Sequence, residues 1–437
     1  MRVGIFGNNL NQGYFLASLL RELGHDARVF LRDGAHPQDE HEWWSREAID
    51  ESLVERVGPV PDLSHGGSLL DLPDIKALYR KAEKYDVLLL REEGPALFSE
   101  LREIPRVFAS QGADLQLWPF WLTVYYSPPA LIGQLRGAIS AAQASSKPRA
   151  RLLLERANHL ARSYRYFRLV QQRQREGIAA CTRLIIFPYQ QWLADKLGVP
   201  AESVRYVPLP STPPEVLDES APSLHDETLR RLSDRDVVFL HPTRLFFLRH
   251  DGNRFLKDND KLLRAFARFA AAGARSATLA LFEKGRPEDI AAAHQLVRKL
   301  GIDRQLIWLP EMPNHALRWL FRLPNVVMCD QYSPFLNSLG NLGRESVFFG
   351  LPLITSYDGT DDPMYTRAPP NVLLGNSDET VLHSLHRAAR MTPADRAKLR
   401  EDCARWYAEN LDPRKNAARY VEICREAIAT RGARRAQ

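Results

Sequence analysis

The chain has 437 residues, 45% hydrophobic and 26% charged, and its 59 Lys and Arg against 53 Asp and Glu give a formal net charge of +6. That length suits two domains of roughly 200 residues each, and no apolar run nears the ~18 residues that would mark an integral membrane protein. The modest cationic excess suits an anionic substrate or surface and is too small to point to nucleic acid, and Cys181, Cys329, Cys403 and Cys424 are too scattered for a zinc or disulfide pattern, so reduced structural thiols are expected.

The opening MRVGIFGNNLNQGYF lacks the charged region, long apolar core and cleavage site of a secretory signal, which leads to the expectation of a cytoplasmic protein. It reads instead as a βαβ unit. Arg2 to Phe6 is β-rich, Gly7 to Gly13 is a loop with glycines and asparagines, Tyr14 to Leu23 has helical apolar spacing, and Gly24-His25-Asp26 turns into Arg28-Val29-Phe30. Further strands are expected at Asp86 to Leu90, Arg106 to Ala109, Leu184 to Phe187 and Val204 to Val207. Between them, Arg149 to Arg175 is a basic helix with Leu153, Ala157, Leu160, Tyr164 and Phe167 on one face and Arg156, Arg162, Arg165 and Arg168 largely elsewhere. Such a helix suits either attachment to an anionic membrane surface or packing on the first sheet with a solvated arginine face.

A proline-rich stretch at Pro208 to Ser223 marks a linker, and the divisions expected are a first domain over 1–210, a linker over 211–235, a second domain over 236–405 and a C-terminal helix and tail over 406–437, the helix able to return to the first domain. The second half restarts with a strand at Asp236 to His241 and a helix at Asp260 to Ala272. Strands follow at Ala277 to Phe282, Gln305 to Leu309, Asn325 to Cys329 and Leu351 to Thr355. Two tandem α/β units with parallel sheets invite a ligand at the C-terminal ends of their strands.

After the strand Val237 to Leu240 comes His241-Pro242-Thr243-Arg244-Leu245, and thirteen residues beyond Arg244 comes Lys257-Asp258-Asn259-Asp260 leading into Leu262-Leu263-Arg264-Ala265-Phe266. Here the chain resembles the retaining glycosyltransferases of family 4 and their GT-B relatives, in which an Arg and a Lys at these positions clamp the donor diphosphate. A second match, Gly340-Asn341-Leu342-Gly343-Arg344-Glu345 through Gly350-Leu351-Pro352, puts Glu345 at the family's ribose-binding glutamate. The loop Gly340, Asn341 and Leu342 would aim amides at the phosphates. The family's other glutamate falls on Asn337, which can bond a sugar hydroxyl but carries no charge.

The resemblance is looser in the first half. Gly13, with Asn11 on the acceptor side, belongs to what looks like the family's opening loop; Ser110-Gln111-Gly112-Ala113-Asp114 looks like its His-Gly-Ser-Asp loop, with Gln111 at the histidine. Asp114 either orients the acceptor, as one of two candidates beside the leaving phosphate oxygen to take its proton, or caps the following helix. Gly-x-Gly-x-x-Gly is absent from the opening loop, which disfavours NAD.

The resemblance implies an α/β chain of GT-B architecture, two Rossmann-like domains facing a central cleft. It implies transfer of a sugar, with retention, from a nucleoside diphosphate sugar to a hydroxyl of a glycan or lipid-linked acceptor, in cell-surface polysaccharide synthesis. Donor binding is expected from Gly13, Arg244, Lys257, Asn337, Gly340, Asn341, Leu342 and Glu345, the acceptor side from Asn11, Gln111 and Asp114, and the chemical step from Asp114, Arg244 and Lys257. No cofactor or metal is expected, since the acidic strings Asp258-Asn259-Asp260 and Asp358-Gly359-Thr360-Asp361-Asp362 suit helix capping and turn chemistry. An epimerase of sugar nucleotides on the same fold, or a non-catalytic sugar-nucleotide-binding partner of a transferase, are the competing expectations.

Overall fold

The structure is a computed structural model that describes residues 1–32, 40–45, 48–58, 63, 65, 67–101, 103–128, 131–132, 149–209, 226–247, 257–273, 276–360 and 362–436. Apolar runs such as Val87-Leu88-Leu89-Leu90 and Val237-Val238-Phe239-Leu240 are buried along their whole length, the pattern of strands covered on both faces. They form two sheets.

The first contains β1 (Arg2–Phe6), β2 (Asp26–Arg32), β3 (Val54–Val57), β4 (Val87–Leu90), β5 (Arg106–Ala109), β6 (Arg183–Ile185) and β7 (Val204–Arg205), in the order β3-β2-β1-β4-β5-β6-β7. The second contains β8 (Val237–His241), β9 (Ala277–Phe282), β10 (Leu306–Leu309), β11 (Val326–Cys329), β12 (Leu353–Thr355) and β13 (Val372–Leu374), in the order β10-β9-β8-β11-β12-β13. Every pairing is parallel. Both sheets reverse strand order beside their first strand, at β1/β4 and β8/β11, where doubly wound sheets open a crevice. The expected two-domain α/β architecture therefore stands.

Two strands escape the sequence pattern. β3 is Val-Glu-Arg-Val on a sheet edge, and β13 has only three residues, so neither shows a continuous apolar run.

The domain limits shift at both crossings. The expected linker lies partly outside the described residues, but its last part is a helix, Asp226–Ser233, that belongs to the second domain. Leu232 is buried in that domain's core, and Asn325 Nδ2 donates to the carbonyls of Leu232 at 2.9 Å and Arg235 at 2.8 Å. Likewise the helix Pro393–Asn410 stays with the second domain through buried Cys403 and Trp406, so the chain crosses back near Leu411 rather than at 405. The last helix, Pro413–Ala436, then returns to the first domain, burying Ala417, Tyr420, Cys424 and Ala427 against its sheet. Glu426 ties it there by accepting from Arg183 at 2.9 Å and Arg205 at 2.7 Å.

The basic helix spans Arg149–Ala179, and its two halves differ in burial. In the C-terminal half Val170, Gln174 and Ile178 are buried, and Gln174 Nε2 donates to the carbonyls of Glu92 and Asp114. In the other half Leu154 is 62% exposed, and Tyr164, expected on the buried face, is 43% exposed. Among the described residues no helix is long and apolar enough to cross a membrane. All four cysteines are free and buried.

The returning helix should be a stability element of the first domain. Tyr420 is fully buried, so Tyr420→Ala should lower unfolding free energy by about 3–5 kcal/mol in urea titrations, the usual cost of deleting a buried aromatic ring. Its hydroxyl has no hydrogen-bond partner among the described residues, so Tyr420→Phe should be neutral or stabilising.

Candidate functional site

Cavities of about 490, 630 and 510 Å³ are among those that described residues line. Two open at the N-terminal edges of the sheets, beside Pro352 and Pro370 before β12 and β13, and beside Arg106 at the start of β5. The third, of about 510 Å³, lies between the domains and is walled by the loops that leave β1, β5, β6, β8, β9, β10 and β11 at their C-terminal ends. Chemistry in parallel sheets belongs at that edge.

The second-domain wall is charged. Arg244 follows β8 on an exposed loop and lies over the Phe246 ring at 5.9 Å. Lys257 approaches from the start of the helix Asn259–Ala271 and donates to the buried Asp330 at 2.9 Å. Lys284, after β9, pairs with Glu311 at 3.1 Å; burial first, and then the nearness of Arg244 and Lys257, pull its pKa below the ordinary lysine value. Arg344 is buried and donates through one nitrogen to the Leu209 carbonyl at 2.5 Å, leaving its Nε without a partner among the described residues. Four cationic side chains against the carboxylates of Asp330 and Glu345 leave this wall positive among the described residues.

Glu345 sits on the short helix Asn341–Phe348, whose first amides open on the cleft beside Gly340. Its Oε1 accepts from Arg318 at 2.8 and 3.0 Å and from Asn314 Nδ2 at 3.4 Å. That pair is almost fully buried, at 4% and 7% side-chain exposure, so Arg318 fixes the carboxylate's direction. Asn314 must turn its amide nitrogen to Glu345, which leaves its buried Oδ1 without a partner among the described residues.

Of the expected donor residues, Arg244, Lys257, Gly340, Asn341, Leu342 and Glu345 line the cleft. Asn337 does not. Its carboxamide turns to Asp358, donating to Oδ1 and accepting from the amide, each at 3.2 Å. Gly13 is also withdrawn, inside the helix Gln12–Glu22, where a Cβ would collide with the Gly7 carbonyl oxygen; it is required by close packing beneath the loop.

The acceptor-side expectations divide in the same way. Gln111 lines the cleft, against the buried Arg91 guanidinium. Asn11 is fully buried at φ 55°, its carboxamide held by Asn8 and His41, each at 3.1 Å. Asp114 is likewise turned inward: Oδ1 accepts from Ser110 Oγ and the amides of Gln111, Gly112 and Leu115, and Oδ2 from the amide of Glu92 at 3.1 Å. Burial pushes its pKa up against the pull of those bonds. It does not line the cleft; from within the helix Ala113–Gln116 its carboxylate gathers the amides of the loop before it.

The sequence reading missed Lys284, Arg318, Asn314, Arg344 and the adjacent pair Trp43 and Trp44. The two indoles come from the first domain and meet cations of the second, Trp43 with Lys284 and Trp44 with Arg318, each at 5.9 Å. Strand-end position after β9 and β10 was a usable signal for Lys284 and Asn314; the tryptophans lie in an irregular segment with no periodicity to place them.

The acidic strings disperse. Asp258 pairs with Lys261 at 3.0 Å and Asp260 with Arg264 at 2.6 Å, while Asp362 accepts from the Tyr357 hydroxyl at 2.9 Å; Asp361 lies outside the described residues. Asn259, the middle residue of the first string, accepts from the Phe246 amide and donates to His241 Nε2.

No protein-family model matches the sequence, and no curated protein matches it. Solved structures do resemble its fold. HepE from Anabaena, in complex with UDP and glucose, superposes with a TM-score of 0.60 at 14% identity, over 97% of this chain and 98% of that one. WaaG, a glycosyltransferase involved in lipopolysaccharide biosynthesis, gives 0.55 at 15% identity over 97% and 99%. A putative UDP-N-acetylglucosamine 2-epimerase from Listeria monocytogenes gives 0.50 at 10% identity over 96% and 94%. The fold is GT-B.

His241 closes the floor of the charged wall and makes a measurable prediction. Its Nδ1 lies 2.8 Å from the Cys329 carbonyl and must donate, so Nε2 accepts from Thr243 Oγ1 at 3.0 Å and Asn259 Nδ2 at 2.6 Å. Burial lowers its pKa to about 4. The neutral form is native, so its stabilisation is complete above the unfolded-state pKa of ~6.5 and is lost as pH falls toward 4, about 2 kcal/mol of it between pH 7 and pH 5. Urea titrations across that range should show the loss, and His241→Gln should flatten it; an unchanged slope in the variant would remove the assignment.

Proposed function

We propose that this protein is a retaining glycosyltransferase that moves a sugar from a nucleoside diphosphate sugar, UDP sugars being the first candidates, to a hydroxyl of a glycan or lipid-linked acceptor in cell-surface polysaccharide synthesis. The observation that carries the reading is the surplus of cationic side chains, Arg244, Lys257, Lys284 and Arg344, on one wall of the interdomain cleft. A departing diphosphate is what such a surplus stabilises. In this reading the amides at Gly340, Asn341 and Leu342 share the phosphate charge and Glu345 takes the ribose hydroxyls on the oxygen that Arg318 leaves open.

The cleft carboxylates are both engaged, Asp330 by Lys257 and Glu345 by Arg318, and Asp114 is closed off. The reading therefore gives the proton to the leaving group: the acceptor oxygen bonds the anomeric carbon as the bond from that carbon to the diphosphate oxygen breaks, and the hydroxyl proton passes to a phosphate oxygen on the same face. Attack and departure on one face retain configuration. The leaving-group charge is assigned to side chains and amides, without a metal or other cofactor.

The epimerase resemblance supplies a second reading, in which the same donor site releases an isomerised sugar nucleotide. Product analysis after incubation with UDP-sugars separates the two. The exposed half of the basic helix, where Tyr164 and Tyr166 stand among exposed Arg162, Arg165 and Arg168, supports peripheral contact with an anionic membrane. Equal binding to neutral and anionic liposomes, or binding indifferent to salt, would remove that part.

A thermal-shift panel of nucleoside diphosphate sugars tests donor binding, since a ligand of the native state raises its stability. Lys257→Ala and Arg244→Ala should each weaken donor affinity by about 2 kcal/mol, or roughly thirtyfold. Glu345→Ala would leave buried Arg318 unpaired, at a stability cost of about 3–5 kcal/mol, so Glu345→Gln is the better probe of the ribose contact. Full transfer activity with unchanged donor affinity in both cation variants would remove the diphosphate assignment.

A further inference from the structure

The two walls of the cleft differ in kind. Every charged residue that lines it among the described residues comes from the second domain. The first-domain wall is built instead from the carboxamides of Asn9, Gln12, Gln111 and Gln116 and from aromatic rings, Trp43 and Tyr189 among them.

Charged residues do stand at those strand ends, but they are turned inward. Arg91, after β4, is 1% exposed and donates to Gln12 Oε1 at 2.6 Å. Glu92 accepts from the Asn9 amide at 2.7 Å and from Arg32 at 3.0 Å, Glu93 pairs with Arg32, and Asp114 is saturated by amides. These charges hold the neutral wall from behind. Gln116 Nε2 donates to the Tyr189 hydroxyl, so carboxamide and ring are fixed relative to each other.

We infer that the acceptor unit this wall receives is an uncharged sugar residue; the inference rests on the transferase reading above. Sugar hydroxyls donate and accept together, and a carboxamide is the side chain that answers both. An indole or phenol face covers the apolar face of a pyranose ring without requiring charge. A phosphorylated or carboxylated acceptor unit would be desolvated against this wall with no cation among its described lining residues to pair it. The cations that could pair it stand opposite, where the donor diphosphate must lie.

The test uses the full chain with UDP present. Saturation-transfer NMR would compare neutral methyl glucoside, galactoside and N-acetylglucosaminide with glucose 6-phosphate and methyl glucuronide, alongside UDP affinity by calorimetry. At least one neutral glycoside should bind the UDP-loaded protein about tenfold better than either charged sugar. Trp43→Ala and Gln116→Ala should each weaken that binding by about fivefold or more, and in Gln116→Ala, which touches no donor cation, UDP affinity should move less than about twofold.

Equal or better binding of the charged sugars in the presence of UDP would overturn the inference, with no variant needed. So would binding of no neutral glycoside, or binding indifferent to both substitutions. Failure of UDP itself to bind would take the transferase reading down as well, and calorimetry distinguishes that result from the others.

Discussion

A parallel sheet delivers every strand's C-terminal end to one edge, and that constraint decides where this molecule can do chemistry. Side chains at the ends of β8, β9, β10 and β11 reach one wall of the cleft, and those at the ends of β1, β5 and β6 reach the other. Backbone geometry gathers there too. The non-glycine residues with positive φ among the described residues, Leu10, Asn11, Glu92 and Asp258, all lie in loops leaving β1, β4 or β8. Each holds its neighbour at an angle that regular structure does not supply, and Asp258 does so for Lys257.

The two edges meet through a handful of contacts of modest strength. Gln12 reaches Asn341 at 3.5 Å, Arg344 donates to Leu209, and the paired indoles lie over Lys284 and Arg318. Behind the seam stand two buried guanidiniums, Arg91 and Arg344, each with its pKa drawn down first by burial. Arg344 adds to the lowering at Arg91. Neutral acceptors, a carboxamide for one and a backbone carbonyl for the other, hold them in place. Positive charge is thereby held near the cleft on neutral hydrogen-bond acceptors.

How far the sequence could be read depended on whether a feature is local. The buried runs of β1, β4, β8, β9 and β11 announce themselves because a doubly covered strand is apolar throughout. Arg244, Lys257 and Glu345 were singled out because the motifs around them resemble those of a known family, and all three line the cleft. Arg318 was not, because its importance lies in touching Glu345 twenty-seven residues away on another helix. Trp43 and Trp44 matter only once the first domain closes on the second. Asp114 was ambiguous for a related reason: an aspartate after a strand looks alike from sequence whichever way it turns, and only the amides converging on it show that its carboxylate faces inward.

Asn337 shows how the same loop can keep a backbone while changing a side chain's duty. Its reciprocal bonds with Asp358 tie the loop after β11 to the loop after β12. Gln331 ties the same loop internally, donating from Nε2 to the carbonyls of Leu336 at 2.8 Å and Ser338 at 3.1 Å. Gly340 must then start the helix Asn341–Phe348 beside Asp330, where a Cβ would stand 3.2 Å from Oδ2. A carboxylate at 337 would place a second negative charge against Asp358, whereas an amide donates to it and accepts from its backbone at once. The neutral residue thereby joins the loops after β11 and β12 ahead of Gly340. With Asn337 turned away, the cleft keeps only two carboxylates among its described lining residues, each already paired with a cation.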